Sequence, residues 1–380
     1  MLITKFAIPD IIFGHGSIKY LAQCARRLGA QRILLVSDNG LESSGWVDQV
    51  RQILEDDRLD CVYFNDVSSN PRDHQVHKGA KLYLQEKLDV IVALGGGSPM
   101  DAAKGIATIA GNGGKISDYE GANRIMRPLP PMIFIPSTAG SGSDISQYCI
   151  ITDVERQVKM SIISRSLVPN ISITDPDLLL TKSRSLITAS AIDAFAHAVE
   201  SYLSPLASPF TESQALLAMR LFIKNILPAV RDRDQAALEE LSTASAAAGM
   251  SFSNAGLGTL HALAHSLGGM YDVLHGMVHP VLLPAVMRYN LAANPKKLGD
   301  IGRIVIGPRV CADERAALAG IDRLEELFAE MDTPLRLRDL LPDRTPLEKI
   351  CSMATRDACQ LTNPRSAYCD DLMGICEEVW

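Results

Sequence analysis

Four of the chain's eight histidines lie within one segment of nineteen residues, His261–His279. His261 and His265 are four positions apart, and so are Asp193 and His197 in an earlier segment of good helix formers. Residues four apart share one face of a helix, so each pair can direct two polar groups to the same point. A carboxylate and several imidazoles gathered in this way suit a divalent first-row metal ion.

His275 follows His261 by fourteen positions and precedes a glycine, where a further helix is expected to begin. The helix that carries His261 and His265 is expected to break at Gly268–Gly269. One pair alone is more typical of a buried hydrogen bond than of a metal site, but the joint pattern is more specific. Spacing does not decide between His261 and His265 as the ligand, and these donors suit Fe(II), Zn(II), Mn(II) or Ni(II).

A glycine turn follows a buried apolar run in the segment "DVIVALGGGSPMDAAKGIA". Three consecutive glycines let the backbone approach a bulky anion, and the start of the following helix offers amide groups and a positive dipole end. We predict a diphosphate site here, with Ser98 as the helix N-cap, although the motif is neither a G-x-G-x-x-G fingerprint nor a Walker A loop. The residues of this turn are Gly95, Gly96, Gly97, Ser98, Pro99 and Asp101.

Two further polar segments follow predicted strands. Asp38 ends the run "RILLVSDNG", where its carboxylate could accept the ribose hydroxyls of an adenosine, or could simply close a local turn. If the phosphate site is real, Asp38 predicts NAD over NADP, because its charge would repel a 2′-phosphate. Thr138 and Ser141 lie in "PSTAGSGSD", whose hydroxyls suit phosphate or ribose oxygens, or a plain surface loop.

The elements that must position these residues differ between the two halves of the chain. Strand-like runs at 32–37, 89–97, 132–137 and 170–176 alternate with helical segments, which predicts βαβ units and a mostly parallel sheet. Later segments show helical spacing throughout and are rich in Ala and Leu. We therefore predict an α/β dinucleotide-binding domain over residues 1–182 and an all-α domain over residues 183–380, with a cleft between them.

Composition and charge restrict the partners. The net charge is −7, with no long run of like charges, so nucleic acid and anionic membranes are not expected partners. The first residues lack the layout of a signal peptide, and the eight cysteines include no C-x-x-C pair. We expect a cytoplasmic enzyme that acts on a small molecule, as a homodimer or higher homo-oligomer.

The motifs resemble, in order and over essentially the whole chain, those of the iron-containing (group III) alcohol dehydrogenases. The resemblance rests on "FGHGS", "SDNG", "GGGSPMDAAKGIA", "PSTAGSGSD", "DPDLLL", "AIDAFAHAVESYLS", "AGMSFSNAGLGTLHALAHSLGG", "HGMVHPVLLPAVMRYN" and "LTNPR". It implies an N-terminal nucleotide-binding domain, a helical C-terminal domain, and a metal and cofactor in the cleft between them.

The resemblance also implies roles for individual residues. The metal ligands it implies are Asp193, His197, His261 and His275, and His265 matches a nonligand histidine near the nicotinamide that would relay protons. Residues implied to contact the cofactor are Asp38, Asn70, Gly95, Gly96, Gly97, Ser98, Asp101, Thr138, Ser141 and Lys159, and Phe252 matches a residue near the substrate pocket.

The implied activity is reversible hydride transfer between NAD and a small primary or secondary alcohol or diol, with Fe(II), or Zn(II) or another divalent ion, as the metal. The alternatives are a zinc-dependent polyol dehydrogenase of the glycerol type and a noncatalytic nucleotide-binding sensor. Ser141, Asp144, Leu274 and His279 depart from the family's usual residues. These departures leave the four ligands intact but change the expected shape of the substrate pocket. His279 could add a second polar or proton-shuttling group there, although we expect it to pack or hydrogen-bond at the edge of the cleft.

Overall fold

The computed structural model of the chain describes residues 5–271, 273–308 and 311–380. Contacts divide the chain into two compact units, which are described separately. The first comprises Ala7–Lys182, and the second comprises Ser183–Trp380 together with Lys5 and Phe6. In the second unit, the ring of Phe6 lies 6.0 Å from that of Phe210, centroid to centroid.

The first unit alternates strands with helices. Its strands are β1 (Asp10–Phe13), β2 (Arg32–Val36), β3 (Asp60–Phe64), β4 (Val90–Gly95), β5 (Gly121–Ala122), β6 (Met132–Pro136), β7 (Tyr148–Asp153), β8 (Val158–Ile163) and β9 (Ile171–Thr174). Its helices are α1 (Leu21–Arg27), α2 (Asn39–Ser43), α3 (Trp46–Asp56), α4 (Asp73–Gln85) and α5 (Gly97–Asn112).

Six strands form one fully parallel sheet in the order β1-β9-β6-β4-β2-β3. Successive strand residues point to opposite faces, so Leu34 and Ile91 belong to one buried core while Ile33 and Val92 belong to the other. Because both faces are covered, the central strands read as continuous apolar runs. The predicted fold class, a mostly parallel α/β sheet followed by a helical region, is confirmed.

A second sheet, with the order β5-β8-β7, was not predicted. Its β7 and β8 pair antiparallel, with Cys149 opposite Ile162 and Ile151 opposite Met160. The alternating burial along β7 is typical of a strand with one face on a core, but this signal is weaker in sequence than an unbroken apolar run. β3 was also missed, because it lies at the edge of the large sheet and is only partly buried.

The second unit is helical throughout its described residues. Its helices are α6 (Arg184–Leu203), α7 (Pro209–Arg231), α8 (Gln235–Ala255), α9 (Thr259–Tyr271), α10 (His275–Asn290), α11 (Pro295–Ile306), α12 (Asp313–Glu330), α13 (Leu347–Ala354) and α14 (Cys369–Glu378). The expected break at Gly268–Gly269 was wrong, because α9 continues through both glycines to Tyr271. Glycine costs a helix only about 1 kcal/mol, which tertiary packing can outweigh.

Small residues allow close helix packing in this unit. A Cβ atom at Gly302 of α11 would lie 2.0 Å from the Ala316 carbonyl oxygen of α12, and one at Gly320 would lie 2.5 Å from the Gly302 Cα. Phe195 of α6 stacks on Phe222 of α7 with ring centroids 4.6 Å apart. Among the described residues, no helix combines the length and the apolar character that crossing a bilayer requires.

The contact between α11 and α12 yields a stability prediction. We expect Gly302→Ala to lower the free energy of unfolding by about 1–3 kcal/mol, because the added methyl group meets backbone that cannot move without separating the helices. Gly374 of α14 is the matched control, since a Cβ there has no neighbour within 4 Å among the described residues. Gly374→Ala should raise stability by up to about 1 kcal/mol through helix propensity. Urea denaturation measures both, and shifts of the same sign would contradict the packing argument.

Candidate functional site

A buried carboxylate lies at the centre of the helical unit. Asp193 sits near the middle of α6, with 6% of its surface exposed, and His197 follows it one turn later on the same face. His261 comes from the first turn of α9, and His275 begins α10. Asp193 Oδ1 lies 3.6 Å from His197 Nε2, 3.5 Å from His261 Nε2 and 3.8 Å from His275 Nε2. The structure thus places all three predicted histidine ligands within 4 Å of the Asp193 carboxylate, although His197 is not in the group of donors that are all mutually close.

His279 also reaches this centre, which the sequence interpretation did not expect. Its side chain is fully buried, and its Nε2 lies 2.8 Å from Asp193 Oδ1. The expected hydrogen bond of His279 is therefore present, and its partner is Asp193. His279 lies one helical turn after His275, so α10 directs both imidazoles to the same carboxylate.

Glu200 orients His261. One oxygen, Oε2, accepts hydrogen bonds from His261 Nδ1 at 2.6 Å and from the Gly258 amide at 2.9 Å, and the other accepts from the Leu260 amide at 2.7 Å. The carboxylate therefore satisfies the first amides of α9 and directs His261 Nε2 toward Asp193. A carboxylate behind a histidine in this way is typical of metal sites. Sequence reasoning missed Glu200, although it lies one turn after His197 on the same apolar helix.

Close backbone packing places α10 over Asp193. A Cβ atom at Gly276 would lie 2.2 Å from the Ala189 carbonyl oxygen of α6, so only glycine allows this approach immediately after His275. Asn363, in the "LTNPR" motif, accepts a hydrogen bond from the Thr259 amide of α9 at 3.2 Å and bonds to Asn290 of α10. The first contact holds the start of α10 against α6, and Asn363 joins the start of α9 to the end of α10.

The electrostatics favour a bound cation. Burial opposes ionisation of Asp193, but the imidazoles of His197, His261 and His279 hold its pKa well below the usual range. Burial likewise lowers the pKa of His261, but Glu200 and Asp193 outweigh it and raise that pKa to about 9. Burial lowers the pKa of His279. Two buried carboxylates therefore stabilise positive charge among imidazoles, which is the charge balance that a divalent ion requires.

Buried imidazole nitrogens that lack a hydrogen-bond partner also indicate a metal site. Among the described residues, the buried His261 Nε2 and His279 Nδ1 have no hydrogen-bond partner. One donor atom from each of Asp193, His261, His275 and His279 lies within 4.8 Å of all the others. Of the two nitrogens, His261 Nε2 is the one that lies near Asp193, at 3.5 Å from Oδ1, and an unpartnered imidazole nitrogen beside a buried carboxylate is suited to a metal bond. The residues therefore fit a divalent ion.

His265 lies beside this centre, with its ring stacked on that of His275 at 5.5 Å between centroids, but it bonds a different carboxylate. Its Nδ1 lies 2.9 Å from Asp357 Oδ2, and the other oxygen of Asp357 accepts the Cys359 amide at 2.8 Å. Cys359 is close enough to share an ion with this pair, but burial raises the pKa of its thiol well above the usual value. The hydrogen bonds of Asp357 to His265 and to the Cys359 amide fix the carboxylate, which in turn orients His265. The Asp357 partner was not predicted.

Phe252 covers one side of the centre. Its ring stacks on His197 with centroids 4.2 Å apart, and His197 in turn stacks on His261 at 4.5 Å. Phe252 is buried on α8, so the residue predicted for the substrate pocket contacts a predicted ligand directly.

In the first unit, three predicted loops meet at one edge of the sheet. The strands β2, β4 and β6 are adjacent and parallel, so the segments after their carboxyl ends are neighbours. These segments hold Asp38, the glycine turn and Thr138. The chain moves outward from β2 to β3 and then returns to β4, so β2 and β4 flank a topological switch point, where α/β sheets bind ligands.

The glycine turn is tightly enclosed. A Cβ atom at Gly95 would lie 2.5 Å from the Pro99 side chain, one at Gly96 would lie 3.3 Å from Thr138 Oγ1, and one at Gly97 would lie 3.1 Å from Ser141 Cβ. The turn and the loop after β6 therefore lie so close together that a Cβ atom at Gly96 or Gly97 would require Thr138 or Ser141 to shift. Backbone amides are left as the groups available to an anion.

The helix start differs from the prediction. Gly96, rather than Ser98, is the N-cap of α5, and no side chain among the described residues caps this end. Ser98 lies in the first turn, and its hydroxyl donates to the Ser69 carbonyl oxygen, which ties the turn to the loop that holds Asn70. The first amides of α5 are therefore not engaged by a capping side chain.

Asp101 and Asp38 each bond within the protein. Asp101 accepts hydrogen bonds from the Ser143 hydroxyl at 2.6 Å and the Ile150 amide at 3.3 Å. Burial raises the pKa of Asp101, while the charges of Lys104 and Lys159 lower it, so Lys159 on β8 lies within electrostatic reach. Asp38 caps α2 by accepting the Leu41 amide at 3.1 Å. Asp101 therefore supports the loops around the turn, and Asp38 remains half-exposed at the end of β2.

Comparison with known proteins identifies the relationship. The model of the family "Iron-containing alcohol dehydrogenase" matches residues 9–176, and that of its C-terminal domain matches residues 187–380. The 1,3-propanediol dehydrogenase of Klebsiella pneumoniae is 37% identical over 378 residues, covering 97% of each chain. The NAD-dependent methanol dehydrogenase of Bacillus methanolicus is 34% identical, covering 98% of each chain. A crystal structure of 1,3-propanediol oxidoreductase superposes with a TM-score of 0.96 at 36% identity, covering both chains completely.

The contacts of Glu200 predict its effect on metal binding. Glu200→Gln places an amide against His261 Nδ1 and removes a negative charge, so we expect the affinity for a divalent ion to fall roughly 10–100-fold. Competition with a chromophoric chelator measures this affinity. Glu326→Gln is the control, because Glu326 is exposed and bonds Arg323 on the surface. Equal affinities in the two variants would exclude an orienting role for Glu200.

Proposed function

Because the chain belongs to the iron-containing alcohol dehydrogenase family, we propose that it is an NAD-linked, metal-dependent alcohol dehydrogenase and aldehyde reductase. The observation that carries this proposal is the convergence of imidazole nitrogens on the buried Asp193 carboxylate. Charge of this kind is costly to bury unless a cation compensates it. We propose Fe(II) as the ion, following the family, with Zn(II) or another divalent metal as the alternative.

The helical unit would hold the metal through Asp193, His197, His261 and His275. When bound there, the ion supplies Lewis-acid chemistry toward an alcohol or carbonyl oxygen. Glu200 keeps the Nδ1 proton of His261, so that its Nε2 lone pair points toward the centre. Phe252, stacked on His197, holds that ring in place and gives the substrate side an apolar wall.

The first unit would hold NAD. Amides of Gly96, Gly97 and the first turn of α5 would donate to the diphosphate, with Ser98, Thr138 and Ser141 around it. Asp38 would accept ribose hydroxyls with the part of its carboxylate that α2 does not use. Asn70 and Lys159 would complete the cofactor contacts, and Asp101 would support the turn from behind.

His265 would carry the proton. Oxidation of an alcohol removes a hydride from carbon and a proton from oxygen, and the hydride goes to the nicotinamide. Asp357 holds Nδ1 of His265, which leaves Nε2 to accept the proton and pass it on. In the reverse direction the same nitrogen would return a proton to the product oxygen.

The substrate proposed is a small primary or secondary alcohol, a diol or the corresponding aldehyde. Relatives are named for 1,3-propanediol and methanol, which places small alcohols within the range of the family. We also propose that the enzyme acts in the cytoplasm as a homodimer or higher homo-oligomer.

The activity is tested directly with NADH and a panel of short aldehydes. Protein loaded with Fe(II) should consume NADH with at least one aldehyde. The loss of absorbance of the reduced nicotinamide measures this consumption. Protein loaded with Zn(II) serves as the comparison for metal preference. No consumption of NADH with either metal and any aldehyde would reject the proposed activity and favour a noncatalytic sensor.

Alanine substitutions of His261 and His265, the two histidines of α9, should affect different properties of the enzyme. We expect His261→Ala and His275→Ala to abolish metal retention, because each removes a nitrogen that faces Asp193. His265→Ala should retain the metal and lower kcat roughly 10²–10⁴-fold, the usual contribution of a proton-transfer group. Metal content after gel filtration and steady-state rates measure these effects. Metal loss in His265→Ala with retention in His261→Ala would reverse the ligand assignment.

A further inference from the structure

His279 occupies the metal centre as closely as any of the four expected ligands. It lies on α10 one turn after His275, its side chain is fully buried, and its Nε2 approaches Asp193 Oδ1 to 2.8 Å, nearer than the Nε2 atoms of the other three histidines. Its ring centroid is 4.8 Å from that of His261 and 4.7 Å from that of His275. The chain therefore directs four imidazoles, rather than three, to one carboxylate oxygen.

The distances agree with a common ion. Metal bonds to nitrogen and oxygen of about 2.0–2.2 Å separate neighbouring donors by about 3.0 Å at right angles and about 3.4 Å in a tetrahedron. The four Nε2 atoms lie 2.8, 3.5, 3.6 and 3.8 Å from Asp193 Oδ1. Moreover, one donor atom of His279 lies within 4.8 Å of one from each of Asp193, His261 and His275. The distance of His279 from Asp193 is thus short enough for two ligands of one ion, and its donor atom belongs to the same group as those of His261 and His275.

We propose that His279 is a fifth protein ligand of the metal, alongside Asp193, His197, His261 and His275. This inference rests on the proposed metal site. Five protein donors exceed the four of a tetrahedral site, so the centre would be five-coordinate before substrate binds and would leave one position of an octahedron for a substrate oxygen. Such a site favours ions that accept five or six ligands, such as Fe(II) or Co(II), over a tetrahedral Zn(II) site.

A rival role for His279 is a hydrogen bond to Asp193 without metal contact. In that case Nε2–H donates to Oδ1, and Asp193 is oriented from outside the metal centre. Both roles predict weaker metal binding when His279 is replaced, because outer partners of ligands also affect affinity. The number of imidazoles bound to the metal distinguishes the two roles.

The test uses the full-length protein, stripped of metal and reloaded with one equivalent of Co(II). X-ray absorption at the cobalt edge counts bound imidazoles from their outer-shell scattering. We expect four imidazoles in the wild-type protein and three in His279→Asn, whose side chain keeps a hydrogen-bond donor for Asp193. His74→Asn is the matched control, because His74 is exposed on the surface of the other unit and should leave the count at four.

Each outcome bears on the proposal. The same imidazole count in wild type and His279→Asn would overturn the proposal. If the variant does not fold, the wild-type protein alone decides, because a count of three imidazoles there would also overturn the proposal. Aldehyde reduction by a protein with three bound imidazoles contradicts only the role of His279. Four bound imidazoles without any aldehyde reduction contradict only the proposed function. Failure of the wild-type protein to retain Co(II) rejects the metal site and this inference together.

Discussion

The burial of Asp193 is the constraint on which the helical unit depends. A carboxylate with 6% of its surface exposed is unstable in an apolar interior unless charge or hydrogen bonds compensate it. The compensation comes from α9 and α10 as well as from α6 itself, so three helices must meet around one oxygen. Glu200 adds a second buried carboxylate on the same helix, which strengthens the need for positive charge. A single divalent ion bound by neutral imidazoles would compensate both buried carboxylates.

The rest of the unit is built to bring those helices close enough. Gly276 lets α10 reach the backbone of α6, and Gly258 leaves room for Glu200, since a Cβ atom there would lie 2.8 Å from Glu200 Oε1. Glu200 in turn satisfies amides at the start of α9. One side chain thus fixes a helix end and a histidine tautomer together. Gly276, Gly258 and Glu200 therefore act together. The two glycines leave room for close contacts, and Glu200 accepts the hydrogen bonds of the amides at the start of α9.

The spacing of residues in the sequence predicted most helices and central strands, but not the direction in which each helix face points. Unbroken apolar runs such as 132–137 and the helical spacing around Asp193 identified the central strands and the helices of the second half. Partly buried strands such as β3 and β7 carry a weaker pattern and were missed. The sequence analysis did not connect His275 with His279, although the two lie four positions apart. Spacing alone also does not show which way their shared face turns, because contacts such as that of Gly276 with Ala189 decide how α10 is rotated. Glu200 and Asp357 were missed because each bonds a histidine that is far away in sequence, and such a pairing leaves no local signal.

The choice between His261 and His265 shows what tertiary contacts add. Spacing left the two histidines equivalent, and the family resemblance alone distinguished them. In the structure each has a carboxylate on Nδ1, but the two carboxylates come from different places. Glu200 is on the same helix as Asp193, so a bond to it turns the other nitrogen of His261 toward Asp193. Asp357 lies beyond α13, and a bond to it holds His265 in a ring orientation tilted 68° from that of His261. The predicted ligand assignment thus has a physical cause: His261 takes its hydrogen-bond partner from the helix of Asp193, and His265 takes its partner from the segment after α13.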